Sequence, residues 1–337
     1  MGTTRIILAG LAAVGLLSCT QPTVLGQLED RPSLRGLSAL DTQEAWVSGS
    51  QATVARTLDG GRSWEHLSLP EEIPVDLDFR DLEALSSTEI VLMSAGPGEK
   101  SRIFWTADGG QNWHPGPVNA HPDGFWDGIA FWDRKRGLLV GDPLDGRLTV
   151  LRTSDGGHSW SPVPTAGLPL SVEGEYAFAA SGTSVAVMGA DLAWLATGGS
   201  VARVFRSEDG GDSWKVYPTP ISSGTGGSGI FSIAFRDTDH GVIVGGDYER
   251  PNQVQCIAAW TEDGGRTWHA AEGMPGGYRS GVSWDARARR FVAVGTNGVD
   301  TSTDGRHWEP MAAPLPWFHA VDASWMSGAD GMIGRLR

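Results

Sequence analysis

Two cysteines, Cys19 and Cys256, are all that the 337-residue chain contains. A disulfide framework is thereby excluded, and so are a haem CxxCH and a redox CxxC pair. Basic residues are in deficit too: 26 Lys and Arg stand against 40 Asp and Glu, for a formal charge of −14 spread along the chain. Non-specific attraction to a nucleic-acid backbone needs a positive face, so nucleic acid is not expected as a partner. The GxxxxGK[ST], strand-linked GxGxxG, HExxH and EF-hand patterns are all missing, and His114, His121, His158 and His319 are dispersed. No metal or other cofactor is therefore expected.

What is present points to one fold class. Gly 47, Pro 19 and Trp 15 are high, and long helical segments rich in Leu, Ala, Lys and Glu are few. Glycine supplies positive φ in tight turns and tryptophan supplies large packing surfaces, which together favour many short strands. At the start, Arg5 precedes an apolar run from Ile6 through Leu17, too short for a permanent membrane span but suited to export. Leu16-Leu17-Ser18-Cys19 resembles the bacterial lipoprotein signal. That resemblance implies a signal peptide over 1–18, lipid on Cys19 holding the protein to a membrane, a tether over 19–23 and a folded body over 24–337. The place implied is the bacterial cell envelope, facing the periplasm or the exterior. Cys256, in Val254-Gln255-Cys256-Ile257-Ala258, reads as a small buried hydrophobe in a strand.

One segment recurs six times: Thr57 to Trp64 (TLDGGRSW), Thr106 to Trp113, Thr153 to Trp160, Ser207 to Trp214, Thr261 to Trp268, and the shortened Ser302 to Trp308. Its aspartates, Asp59, Asp108, Asp155, Asp209, Asp263 and Asp304, lie 49, 47, 54, 54 and 41 positions apart. That period suits one four-stranded propeller blade. Aspartate accepts nearby backbone N–H groups and glycine takes the left-handed turn, so each acid is expected to hold its own turn rather than catalyse.

Strand-plus-glycine units precede the boxes: Glu44 to Gly49, Glu89 to Ser94, Gly137 to Gly141, Val185 to Gly189, Gly241 to Gly245 and Phe291 to Gly295. A seventh, Ser324 to Gly328, has no box after it. The expectation is a single all-β, seven-bladed β-propeller with four-stranded blades. Val24 to Leu28 would be the outer strand of the last blade, closing the ring and removing a sheet edge.

The boxes and their period resemble bacterial BNR/Asp-box propellers similar to photosystem II stability and assembly factors. Those relatives look like chaperones that hold an assembly client on an arginine-lined surface. Sialidases and other glycosidases carry the same boxes, so the boxes imply the fold and leave the activity open.

Function is expected on the face opposite the boxes, where the innermost strands begin. Their first polar residues are Arg35, Arg80, Asp127, Glu175, Ser232, Arg279 and His319. Arg35, Arg80, Arg279 and His319 are expected to form a positive arc, with Asp127 and Glu175 beside it, able to take a carboxylate, phosphate, sulfate or peptide terminus. The expected partner is a protein or peptide client or an anionic ligand, bound by a monomer without catalysis. The alternative is a sialidase-like glycoside hydrolase using an acid pair from Asp127, Asp142, Glu175, Asp247 and Glu249. Phe79, Trp126, Tyr176, Tyr278 and Phe318 are expected to pack between blades.

Overall fold

The computed structural model describes residues 22–311 and 317–336. Seven antiparallel sheets are arranged as the blades of a propeller. With strands named A to D outward from the channel, blade 1 comprises Leu34–Ala39, Ala45–Gly49, Thr53–Thr57 and Glu65–His66. Blades 2, 3, 5 and 6 start their A strands at Phe79, Trp126, Ser228 and Gly281. Blade 7 is built from Phe318–Asp322, Trp325–Gly328 and Met332–Leu336, with the N-terminal Pro22–Gln27 as its outermost strand. Pro22 pairs with Leu336 and Gln27 with Met332, so the two ends of the chain close the ring as expected. Cys19, expected from the sequence to carry lipid, lies outside the described residues.

The boxes act as local clamps. Thr57 Oγ1 donates to Asp59 Oδ1 at 2.9 Å and accepts from the Gly61 N–H at 2.9 Å. The Ser63 N–H and hydroxyl both donate to the Asp59 carboxylate, at 2.9 and 2.7 Å. These donors hold Asp59 down at about 2, and Asn112 with Thr106 does the same for Asp108. The same bonding recurs at Asp155, Asp209, Asp263 and Asp304. Four of the box tryptophans also donate their indole N–H to a box glycine carbonyl, as Trp214 does to Gly211 at 3.0 Å. Box carboxylates are thus spent inside their own turns.

Between blades, apolar clusters are joined by a second device at the inner edge. Outside blade 5 an A strand has no strand neighbour on its channel side, so its channel-side N–H groups need other acceptors. Adjacent A strands supply them. Ser38 Oγ accepts from Ala84, Asp81 Oδ2 from Ile129, Ser232 Oγ from Val282, Ser283 Oγ from Ala323 and Asp322 Oδ2 from Ala39, at 2.7 to 3.1 Å.

Three expectations from the sequence differ from the structure. Val185–Met188 is the A strand of blade 4, and its B strand is Leu192–Ala196. Asp191 therefore sits on the box-side turn, where it pairs with Arg136 at 3.0 Å. Glu175–Tyr176 does not open blade 4. It pairs with Gly198–Gly199, which adds it to the inner edge of blade 5 and makes that sheet six-stranded. Cys256 lies half-exposed on a turn with φ of 50°, before the strand that starts at Ala258.

Candidate functional site

The inner strands of five blades carry a β-bulge at the same level, and in blades 1, 2, 3 and 7 the bulged residues are Arg35, Arg80, Asp127 and His319. Phe231 is the bulged residue of blade 5. A bulge leaves one residue out of the ladder and re-aims its side chain. Here that gathers side chains far apart in sequence around one channel mouth.

Blade 4 contributes differently. After Tyr176 the chain leaves the sheet, and residues 177–184 lie across the mouth as a plug. The Ala177 N–H donates to Asp142 Oδ1 at 3.1 Å. Arg80 and Arg35 donate to the carbonyls of Ala179 and Ala180, at 3.3 and 3.0 Å. Ser181 Oγ donates to the Ser280 carbonyl at 2.7 Å, and the Thr183 and Ser232 hydroxyls are 2.6 Å apart. The plug thus touches blades 1, 2, 3, 5 and 6. Gly182 sits hard against Asp81, and any Cβ there would fall 2.1 Å from a carboxylate oxygen. Below the plug is a cavity of about 400 Å³ lined in part by Asp81, Glu83, Asp322, Ser38 and Ser283.

The charge at the mouth is unevenly compensated. Arg80 pairs with Asp78 at 2.8 Å. Arg35 is half-buried, and among the described residues no carboxylate lies within ion-pair reach of it. Burial first, then the charge of Arg80, lowers the Arg35 pKa. Burial and the two arginines push His319 down to about 3. His319 is therefore neutral at ordinary pH, so the positive group is Arg35 with Arg80, beside an uncharged imidazole.

Asp127 and Asp142 face the same mouth. Asp127 is 1% exposed and its Oδ2 has no hydrogen-bond partner. Burial, reinforced by the charge of Asp142, raises Asp127 well above the usual carboxylate range, and burial raises Asp142 to about 6. An aromatic wall completes the opening: Phe178 stacks on Phe231 at 3.8 Å, and Phe231 meets Tyr278 edge-on at 4.8 Å and Tyr248 at 6.2 Å. Tyr176 donates its hydroxyl to the Gly226 carbonyl. Phe79, Trp126, Tyr278 and Phe318 are buried, while Tyr176 is half-exposed.

Arg279 and Glu175 are placed elsewhere. Arg279 is 1% exposed and locked to Asp300 and Asn297 inside blade 6. Its Cα lies opposite Gly295, as Leu34 lies opposite Gly49 and Trp126 opposite Gly141. Arg279 therefore occupies the position that points between blades, one residue before the bulge position. Aligning it with Arg80 puts the register one residue out, and the strand-ending glycines were the signal that would have corrected it. Glu175 is buried against Arg203, and its Oε1 accepts from the Arg203 Nε at 2.9 Å and the Thr197 hydroxyl at 2.6 Å. The plug was missed because residues 177–184 carry no repeat signature, and at blade 5 the expected mouth residue, Ser232, is one place beyond the bulged Phe231. Among the described residues no group of three or more His, Cys, Asp or Glu is arranged to hold a metal ion.

Comparison with protein-family models and with curated protein sequences finds no match. Solved structures with the same fold do exist. One is YCF48 bound to a D1 peptide, with a TM-score of 0.62 and 17% identity over 95% of this chain and 96% of that one. Another is U3-55K, with 0.61 and 13% over 94% and 98%. An ancestral GH74 enzyme gives 0.60 and 15% over 94% of this chain and 46% of that chain. At these identities the likeness establishes the seven-bladed fold.

Proposed function

We propose that this chain is a binding propeller that recognises a polypeptide segment through an anionic group seated at the mouth on Arg35 and Arg80. The observation that carries the reading is Arg35 itself, a half-buried guanidinium with a second one beside it and no carboxylate at ion-pair distance among the described residues, the nearby Asp78 being paired with Arg80. Holding two cations together in a partly dry site is costly, and an anion that enters relieves the cost. Arginine offers a planar donor fork matched to carboxylate. Each guanidinium has one donor on a plug carbonyl, which fixes its orientation before a ligand arrives. The structure of YCF48 with a D1 peptide supports a peptide as the ligand of a propeller of this shape. We further propose that the protein works at the bacterial envelope, lipid-tethered through Cys19, in assembly or maintenance.

The test is fluorescence anisotropy with labelled acidic peptides and their amide counterparts. Wild type should prefer the acids, and Arg35→Gln with Arg80→Gln should lose at least about tenfold in affinity while unfolding normally. Equal binding by that double variant would refute the site. A second reading, glycoside hydrolysis, rests on Asp127 and Asp142 as neighbouring carboxyls with raised pKa at one mouth. Against it, both acids already hold the plug backbone. Release of reducing sugar from a glycan panel, abolished by Asp142→Asn, would establish it.

A further inference from the structure

The large hydrophobic side chains left exposed are not spread evenly over the two faces. Six of them sit on the connections that surround the mouth: Val75 between blades 1 and 2, Leu170 and Val172 between blades 3 and 4, Tyr248 and Val254 in blade 5, and Trp317 before blade 7. The box-side face has Leu40 and Leu58, and outer strands carry Val24 and Val118. Val75 is 80% exposed, Leu170 63%, Trp317 60% and Tyr248 50%. Single exposed hydrophobes are ordinary, but a ring of them around one opening marks an interaction surface.

Charge sorts the same face into zones. Exposed Glu71, Glu72, Asp123, Glu173 and Glu249 stand on these connections and make no ion pair among the described residues. The exposed bases on the same connections are fewer, and Lys100 and Arg250 are paired with Asp76 and Asp247, so with Arg31 set against them the rim is apolar and predominantly acidic, and its centre holds Arg35 and Arg80. An open depression of about 490 Å³ lies on the blade 3 and 4 side of this face, lined by Asp123, Asp142, Val172, Glu173 and Tyr176.

We infer that this face docks a polypeptide partner in two zones: an acidic group enters the mouth, and flanking apolar and basic side chains lie on the rim, anchored by Trp317 and Tyr248. The inference rests on the mouth being the recognition site and adds what must surround the anionic group. A sugar ring is too small to reach connections on opposite blades. An anionic membrane is disfavoured by the acidic rim and the net charge of −14. Basic flanks on a polypeptide meet the rim carboxylates, and its apolar side chains meet Trp317 and Tyr248, the residue types that most often dominate interface energetics.

The experiment is selection from a displayed library of 15-residue peptides with a fixed central Glu and randomised flanks, run beside the same library with central Gln. Enrichment of aromatic or aliphatic residues together with Lys or Arg in the flanks is expected. Peptides so chosen should lose at least about tenfold in affinity on Trp317→Ala or Tyr248→Ala, with thermal unfolding unchanged. Flanks enriched in neither class, or affinities indifferent to both substitutions, overturn the inference. So does binding to phosphatidylglycerol vesicles that depends on Trp317. The two readings fail separately. If the Gln library enriches equally and the selected peptides ignore Arg35→Gln, the mouth reading falls while the rim result stands. If acidic peptides bind through Arg35 whatever their flanks, the rim falls and the mouth stands.

Discussion

Replacing Asp81 by asparagine should stabilise the protein at neutral pH and change little near pH 4. Asp81 is 5% exposed at the channel wall, where its carboxylate accepts the Ile129 N–H at 2.7 Å. Burial raises its pKa from 3.8 to about 7, and Glu83 and Asp322 nearby are raised as well. Below the unfolded value the group is protonated in both states and costs nothing. As pH climbs between the two values the unfolded chain ionises first, so the native state binds more protons and stability falls by about 1.4 kcal/mol per pH unit. Over the whole window that amounts to at most about 4 kcal/mol, fully lost once pH passes the folded value. Asparagine keeps an oxygen for Ile129 and cannot ionise. Urea unfolding followed by tryptophan fluorescence at several pH values should show the wild type losing stability from about pH 4.5 to 7.5. The Asp81→Asn curve should be flatter by that one group's share. Parallel curves for the two proteins would refute the premise that burial holds this carboxyl protonated well above its ordinary range.

Other expectations concern single contacts. Arg279→Met alone leaves Asp300 buried without its partner and should cost about 3–5 kcal/mol, while Arg279→Met with Asp300→Leu should recover most of it, as chemical denaturation would show. Peptide affinity should survive the double change, since Arg279 is not at the mouth. Asp263→Ala should lower stability by about 1–2 kcal/mol by freeing the N–H groups of Arg266 and Thr267, with no effect on binding. His319 should titrate far below neutrality in the free protein, and a bound acidic peptide should move it upward by offsetting the arginines that lower it. NMR titration of the imidazole checks this, and a saturating peptide that leaves it unmoved would argue against an anion at Arg35.

Much of the architecture was legible because the repeat is a local device. The Asp boxes, the glycines ending the B strands and the spare strand at Val24 each carry their reason within a few residues, so the ring and its closure follow from them. Arg35, Arg80, Asp127 and His319 were legible as well, because their aromatic or aliphatic predecessors mark the start of an A strand. Blade 4 was not. There Glu175–Tyr176 imitates the start of an inner strand, but the pairing that decides its place is with Gly198–Gly199, and long-range pairing of a two-residue strand leaves no periodic trace. Arg279 was misjudged because a bulge shifts register by one residue, and that reverses which way a side chain points. The protonation of His319 depends on two guanidiniums from other blades, which proximity in sequence cannot reveal.

The pairing of Pro22 with Leu336 also fixes a direction. C strands run toward the Asp-box side, so Leu336 ends there and Pro22, antiparallel to it, starts there. The Pro22 end of that outermost strand therefore lies at the outer circumference on the Asp-box side, across the disc from the mouth. Anything fused at Pro22 is thus kept clear of the opening, which leaves that end free for a label or surface attachment in the binding assays.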